Sequence, residues 1–159
     1  MKLIPLTQGY FAMVDDEDYK YLCEYKWRVD KQANTNYAAR RNGKQTTYYM
    51  HRQILNTPPD KEVDHINNNG LDNRRENLRI CTLQQNKHNQ KIRNDRKYSQ
   101  YKGVTFRKDR KKWKAQIGVN NRHIHLGHFN KEIDAAVAYN EAAKQYFGEF
   151  AKINRIENA

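Results

Sequence analysis

Four polar residues have the types and spacing needed for hydrolytic chemistry: the adjacent pair Asp64 and His65, then Asn77 twelve positions on, then Asn86 after nine more. Asp64 and Asn86 offer hard oxygen ligands, which suit Mg²⁺ or Mn²⁺ better than Zn²⁺. The His65 side chain should leave a strand on the face opposite Asp64, so it can act as a general base on water. This set predicts phosphodiester hydrolysis assisted by one divalent cation.

The supporting residues leave alternatives open. Asn77 is expected to orient His65 or to tie the surrounding loop together. Arg52 and Arg79 are candidates for gripping the scissile phosphate, although either could equally be a surface ion-pair residue. The whole set could also be a polar turn whose Asp and Asn side chains only cap a helix.

The spacing of the four residues requires two strands and a helix. We expect a strand to carry Asp64 and His65, a loop and second strand to carry Asn77, and a helix to bring back Asn86. Upstream, the sequence predicts a strand over 11–14 and a helix over 16–25.

Before the Asp-His strand, β-prone runs flank Asn42-Gly43, which is a strong hairpin signal. Arg40 and Arg41 would lie near the tip of this hairpin. There they could reach a DNA groove, or simply form a solvated tip.

The C-terminal third shows the period-2 alternation of a sheet that is covered on one face. Trp113 to Val119 carries apolar residues at the odd positions, and a helix is predicted over 131–147, ended by Gly148. The uncovered sheet face would bear Thr105, Arg107, Lys114, Gln116, His123 and His125. The expected fold class is therefore α+β, with a nuclease-type region followed by a small three-stranded antiparallel sheet packed on one helix.

Composition favours a nucleic-acid partner. The chain of 159 residues has a net charge of +12, and residues 96–159 carry 14 basic against 6 acidic side chains, whereas 1–50 and 51–95 each carry 8 against 6. Such an excess is typical of a DNA-binding module, although it also occurs on faces kept basic for solubility.

The cysteines and the hydropathy pattern indicate the compartment. Cys23 and Cys81 have no CxxC partner that would indicate structural zinc, and both lie among apolar residues, which predicts reduced core cysteines. No apolar run approaches the ~20 residues that cross a membrane, and no signal peptide opens the chain. We expect an intracellular protein without a membrane partner.

The Asp64-His65, Asn77 and Asn86 set resembles the HNH nuclease family, also called the ββα-metal fold. It is most similar to the HNH homing endonucleases carried by phage introns, which have Asn in place of the third-position His. The lead-in over 49–52 also looks like the segment before the Asp-His strand in that group. The resemblance covers most of residues 1–90 and implies a magnesium- or manganese-dependent DNA nuclease that acts in the cytoplasm of a bacterial host.

Residues 100–154 resemble the Apetala-two/ethylene-responsive-factor DNA-binding domain. The resemblance is carried by Tyr101–Val104, Trp113–Ile117, Leu126–Phe129 and Ala135–Ala143. It implies a sheet laid in the major groove and backed by one helix. The chain departs from that family where its members read sequence, with Lys102 and Thr105 at usual Arg positions, Gln116 at a usual Glu and His125 at a usual Trp. The docking mode is implied, but the target sequence is not.

The resulting hypothesis is a site-specific HNH homing endonuclease that acts on double-stranded DNA as a monomer and nicks one strand. It has a nuclease region over 1–90 (lead-in 1–50, core about 51–90), a basic tether over 91–100 and a DNA reader over 101–154. The expected DNA-binding residues are Arg40, Arg41, Lys102, Thr105, Arg107, Lys114, Gln116, Arg122, His123 and His125. The alternatives are a non-catalytic DNA-binding regulator with a degenerate nuclease fold and a phage nuclease not involved in homing.

Overall fold

The computed structural model describes residues 1–43, 46–90 and 99–156, and the chain divides into two compact units, Met1–Asn89 and Gln90–Ala159. The mixed α and β content expected from the sequence is confirmed: small sheets alternate with few helices. Most of the expected basic tether, residues 91–98, lies outside the described residues. No helix in the described ranges is long and apolar enough to cross a membrane.

The first unit begins with an antiparallel hairpin and a short helix. Strand β1 (Lys2–Pro5) pairs with β2 (Phe11–Val14), which confirms the strand predicted there. Helix α1 (Asp16–Leu22) has acidic side chains in its first turn, where the helix dipole favours them. It ends three residues before the expected position, and the Leu22 carbonyl at its end accepts a 2.8 Å bond from the Trp27 indole N–H.

One core prediction fails at the end of α1. Cys81 is buried as expected, but Cys23 is exposed. Leu22, fully buried, takes the inward position at this end of the helix, so the next residue turns towards solvent.

A second sheet and a short helix follow. The antiparallel sheet has the order β3-β4-β5, with β3 at Arg28–Lys31, β4 at Asn36–Asn42 and β5 at Thr46–Tyr49. The hairpin expected around Asn42-Gly43 is present, with Asn42 paired to Thr46. Helix α2 (Met50–Ile54) follows β5 directly.

The four candidate residues lie on the hairpin and helix that end this unit, three of them on its strand and helix and Asn77 in the hairpin loop. Strand β6 (Glu62–His65) pairs antiparallel with β7 (Leu78–Cys81), and helix α3 (Leu83–Asn89) follows. The loop between the strands ends in a 3₁₀ turn, Arg75–Asn77, so Asn77 lies just before the second strand rather than within it. One apolar core joins the two motif strands to the N-terminal hairpin, α1, β3, β4 and α2, and it includes Ile4, Val14, Leu22, Trp27, Val29, Met50, Ile54, Val63 and Leu78.

The β6–β7 loop is fastened to the N-terminal hairpin and helix. The Met13 N–H donates to the Leu71 carbonyl and the Asn73 N–H to the Met13 carbonyl, both at 2.8 Å. The Arg75 guanidinium donates two 2.8 Å bonds to the buried carboxylate of Asp18. Residues near 13–18 therefore fix the loop that connects the two motif strands.

Gly70, in the same loop, lies against the start of β4. Its N–H donates to the Thr35 hydroxyl at 2.9 Å, and a Cβ at this position would lie 2.7 Å from the Tyr37 ring and collide with the Asn36 carbonyl oxygen. Only glycine permits this approach.

The second unit is a sheet with one helix. The strands, in the order β10-β9-β8, are β8 (Val104–Arg107), β9 (Lys112–Val119) and β10 (Arg122–Phe129), and helix α4 (Glu132–Phe147) follows. Alanines of α4 are buried against the sheet, as the sequence predicted. The ring of Tyr139 packs where a side chain on Gly103, at φ +78°, would stand.

Candidate active site and nucleic-acid interface

Asp64 is a buried carboxylate held from two sides. It lies opposite Arg79 in the β6–β7 register and is 3 % exposed. The Arg79 guanidinium donates to Oδ2 through Nε at 2.8 Å and Nη2 at 2.6 Å. The Asn89 amide donates to Oδ1 at 2.8 Å and Oδ2 at 3.1 Å. A buried charge needs such partners, and both fix the direction in which the carboxylate points.

His65, the next residue of β6, is 6 % exposed and faces a different set of side chains. Its Nε2 lies 3.5 Å from the Asn73 amide oxygen. Because this oxygen only accepts, the contact is made by the tautomer that carries its proton on Nε2 and leaves Nδ1 free. Burial lowers the pKa of His65, although Asn73 and the nearby carboxylates of Asp64 and Asp72 partly oppose this effect. The ring is therefore kept neutral, the form that a general base requires.

Aromatic rings from the lead-in surround His65. The Tyr37 ring of β4 lies 5.7 Å from the His65 ring, and the His51 ring of α2 lies 5.0 Å away. Tyr49 of β5 stacks on His51 at 5.4 Å. Apart from the DNA contacts expected of Arg40 and Arg41, residues 1–50 had no assigned role in the sequence analysis, and the structure shows that Tyr37 from this region forms part of the wall around His65.

Asn77 ties the loop together, and none of its hydrogen bonds within the described residues is to His65. Its Oδ1 accepts a 3.0 Å bond from the Asn67 N–H, and its Nδ2 donates at 2.8 Å to the Asp72 carbonyl. Of the two roles expected for Asn77, orienting His65 or tying the surrounding loop together, the geometry favours the second.

Arg52 holds the turn that leads into β6. Its Nη1 donates at 2.7 Å to the Lys61 carbonyl, and its Nη2 at 2.9 Å to the Pro58 carbonyl. The Glu62 carboxylate lies 3.9 Å away.

A divalent cation at Asp64 can be tested against the residues present. Asn86 lies one turn before Asn89 on α3, so the two share a helix face, and Asn89 already reaches Asp64. Asn89 turns its amide N–H groups, not its oxygen, to the Asp64 carboxylate. Among the described residues there is no cluster of three or more His, Cys, Asp and Glu that could bind a metal. The carboxylate of Asp64 and the amide oxygen of Asn86 are nevertheless hard donors of the kind that Mg²⁺ and Mn²⁺ prefer, so their chemistry fits a hard cation.

Arg40 and Arg41 point in opposite directions. The prediction that both arginines lie at the hairpin tip and reach outwards is wrong for Arg40. Its guanidinium lies 4.1 Å from the Tyr25 ring centroid and 4.7 Å from that of Tyr48. Arg40 also donates to the Gln53 side chain at 3.1 and 3.2 Å. Arg41 is exposed, and strand alternation places it on the sheet face of Tyr37.

The second unit presents one polar sheet face. Cross-strand partners share a face, and the register pairs Thr105 with Lys114 and Gln116 with His125. This surface, called the polar face below, comprises Thr105, Arg107, Lys112, Lys114, Gln116, His123, His125 and His128.

His128 is an addition that alternation alone did not predict. The register of β10 shifts between His125 and Gly127, so His128 pairs with Lys114 and its ring lies 4.6 Å from that of His125. Desolvation lowers its pKa, as do His125 and nearby cations. Gly127, at φ +138°, is the sequence signal for this bulge.

The remaining expected DNA contacts have distinct positions. Lys102 precedes β8, and its N–H donates at 2.7 Å to the Asn154 side chain. Arg122 pairs with Val119 at the exposed end of β10, off the polar face. Arg107 is on the face, but its Nε and Nη2 donate to the exposed Asp109 at 3.0 and 3.1 Å. Such a surface pair is weak and can open for a phosphate.

Sequence comparisons agree with this geometry. A family model described as HNH endonuclease matches residues 56–88, the segment from the turn before β6 into α3. An uncharacterised HNH endonuclease of Acanthamoeba polyphaga mimivirus is 31% identical over 166 residues, covering 98% of this chain and 80% of the relative. An ethylene-responsive transcription factor of Arabidopsis thaliana is 38% identical over 58 residues, covering 35% of this chain and 14% of that protein. On the family model and the viral relative together, the chain belongs to the HNH endonuclease family.

Proposed function

We propose that this chain is a site-specific DNA endonuclease of the homing type that hydrolyses one strand of a duplex in a metal-dependent reaction. The observation that carries the proposal is the pairing of a buried carboxylate with a buried neutral imidazole on one strand, Asp64 and His65 on β6. In this family context such a pair supplies a cation ligand and a general base.

The residues divide the work as follows. Asp64 and Asn86 would hold one Mg²⁺ or Mn²⁺ ion, which when bound polarises the scissile phosphate and stabilises the departing oxygen. His65 would take a proton from water at its free Nδ1, so that the water oxygen attacks phosphorus in line and leaves 5′-phosphate and 3′-hydroxyl ends. Asn77 and Arg52 would keep the loop and turn around β6 in place.

Arg79 has a further role in this proposal. It neutralises Asp64 in the structure, and its guanidinium could turn towards a phosphate once a cation takes over that charge. Arg52, by contrast, already donates to two backbone carbonyls, which supports a positioning role rather than phosphate binding.

Site selection is proposed to reside in the second unit, residues 101–154, joined through the basic segment 91–100. The polar face combines amide, imidazole and cationic side chains, as a major-groove sheet reader needs. The partial similarity to a plant transcription factor supports this docking mode. Because each chain has one proposed nuclease site, the protein is proposed to act as a monomer that nicks one strand. Its gene is proposed to lie in a phage or an intron, and the protein to act in a bacterial host.

The test is cleavage of a supercoiled plasmid library in Mg²⁺, followed by mapping of the cut ends. We expect open circles before linear DNA, with cuts at one asymmetric site. His65→Ala should slow cleavage by about 10²-fold or more while duplex affinity is retained. Asp60→Ala, which removes an exposed carboxylate outside the site, is the control. Site-specific binding without cleavage by the wild-type protein would instead favour the regulator alternative.

A further inference from the structure

A second histidine is buried beside His65. His51 is 7 % exposed, on α2 between the buried Met50 and Ile54. Its ring meets the His65 ring edge to face, at a centroid distance of 5.0 Å and an interplanar angle of 85°. Nothing in the proposed chemistry above uses this residue.

The ring of His51 is itself firmly held. Tyr49 stacks on it with an interplanar angle of 18°, and the Tyr49 hydroxyl donates at 3.0 Å to the Asp30 carboxylate. Tyr37 lies 5.4 Å from His51 and 5.7 Å from His65, so it contacts both rings. His51 is therefore a fixed wall for His65 and not a mobile neighbour.

An imidazole at this position lowers stability. Nδ1 of His51 is buried, and among the described residues it has no hydrogen-bond partner. Burial, with smaller effects of His65 and Arg52, lowers its pKa to about 3, so the ring is neutral in the folded protein. A phenyl ring, although somewhat larger, would leave no unsatisfied polar atom at this position. A group that costs stability beside a reacting side chain is typical of functional sites.

The hydrogen bond between His65 and Asn73 is too weak to fix the His65 ring alone. The Asn73 amide oxygen lies 3.5 Å from His65 Nε2, at the long limit of a hydrogen bond. Asn73 is fully buried, and its Nδ2 also lacks a partner within the described part of the chain. A second constraint on the orientation of the His65 ring is therefore needed.

We propose that His51 is a positioning residue for the reaction, whose imidazole ring fixes the plane of the His65 ring and the nitrogen that carries its proton. An imidazole ring presents a nitrogen as well as C–H groups to its neighbour, whereas a phenyl ring presents C–H groups only. A phenyl ring would therefore give different orientations of the His65 ring similar energies. The proposal rests on the proposed role of His65 as the general base.

The experiment compares His51→Phe, His51→Asn and the control Ile54→Val, a buried change on the same helix. Cleavage of a plasmid target gives kcat and KM, thermal melting gives stability, and ¹⁵N NMR of the imidazoles reports the His65 tautomer. We expect His51→Phe to melt at or above the wild-type temperature with unchanged KM, and kcat to fall about tenfold or more. Its His65 nitrogen signals should move from those of one tautomer towards an average of two.

The two other variants separate positioning from packing. His51→Asn returns a polar atom near the position of Nδ1, so it should cleave faster than His51→Phe although it melts lower. Ile54→Val should melt lower with unchanged kcat. Wild-type kcat and unchanged His65 signals in His51→Phe would overturn the inference, even if that variant melts lower.

His65→Ala, measured in parallel, separates the two proposals. If His65→Ala cleaves normally, the proposed general base is wrong. If His65→Ala is inactive while His51→Phe cleaves normally, only the positioning role of His51 is wrong.

Discussion

Arg40 and Arg41 are adjacent arginines for which the structure predicts opposite effects of substitution by alanine. Arg40 makes two hydrogen bonds to one acceptor on Gln53, worth about 1 kcal/mol together. Its contacts with the Tyr25 and Tyr48 rings add about 0.5 kcal/mol each, the value for partly exposed sites. Arg40→Ala should therefore lower the free energy of unfolding by about 2 kcal/mol, and Tm by about 10 °C for a unit of this size.

Arg41→Ala should act on binding instead. The side chain is exposed, so stability should change by less than about 0.5 kcal/mol. Since Arg41 shares a sheet face with Tyr37, which contacts the His65 ring, it is placed to meet a phosphate near the proposed cut site. Loss of one phosphate contact should reduce the slope of log affinity against log salt by about one, and the affinity at 0.1 M salt by about tenfold.

Thermal melting by circular dichroism and fluorescence anisotropy of a labelled duplex at several salt concentrations measure both effects. A duplex of mixed sequence is sufficient, because phosphate contacts do not depend on sequence. The reasoning is refuted if Arg40→Ala melts within about 2 °C of wild type, a difference well below the expected ~10 °C. It is refuted equally if both variants lose the same affinity.

Four further outcomes are expected. The pKa of His51 is about 3 in the folded protein against 6.5 in the unfolded chain, so the unfolded state binds the proton first as pH falls. Protonation of the unfolded state lowers the free energy of unfolding. The loss is absent well above pH 6.5 and reaches about 2 kcal/mol at pH 5. The drop in Tm between pH 8 and pH 5 should therefore be smaller in His51→Phe, and equal drops would contradict the assignment. Gly70→Ala should cost about 1–3 kcal/mol and most cleavage activity, whereas Gly118→Ala, whose new Cβ meets nothing closer than 3.8 Å, should be nearly neutral. Asn89→Ala should weaken Mn²⁺ binding about tenfold by calorimetry, with Lys87→Ala on the exposed side of α3 as control; equal affinities would remove Asn89 from the site. A fragment ending at residue 98 should remain folded but bind DNA with a shallower salt dependence, and an unchanged slope would place the main phosphate contacts in the first unit.

The sequence predicted best where local pattern and structure coincide. Period-2 alternation around Trp113 predicted strands with one covered face, as observed. The apolar stripe that ends at Gly148 predicted a helix over 131–147, and the observed helix α4 begins one residue later. Both features depend on neighbours two to four positions away. Such local patterns can therefore be recognised in a single sequence.

Contacts between distant residues could not be predicted in the same way. Tyr37 and His51 are 28 and 14 positions from His65, and only the packing of the lead-in sheet and α2 brings their rings to it. The separation of Arg40 from Arg41 likewise depends on where the Tyr25 ring lies. Helical periodicity could have placed Asn89 on the same helix face as Asn86, since it follows Asn86 by one turn. Nothing in the sequence shows, however, that Asn89 contacts Asp64.

The fastening of the β6–β7 loop limits how this nuclease could be reused in engineered proteins. Residues 56–88, the segment recognised by the family model, contain both motif strands, yet the loop between them depends on Met13, Asp18 and Tyr37. A fusion built from that segment alone would lose these contacts and would leave the carboxylate, imidazole and glycine without the surfaces that place them. The smallest portable cutting module is therefore the whole first unit, Met1–Asn89.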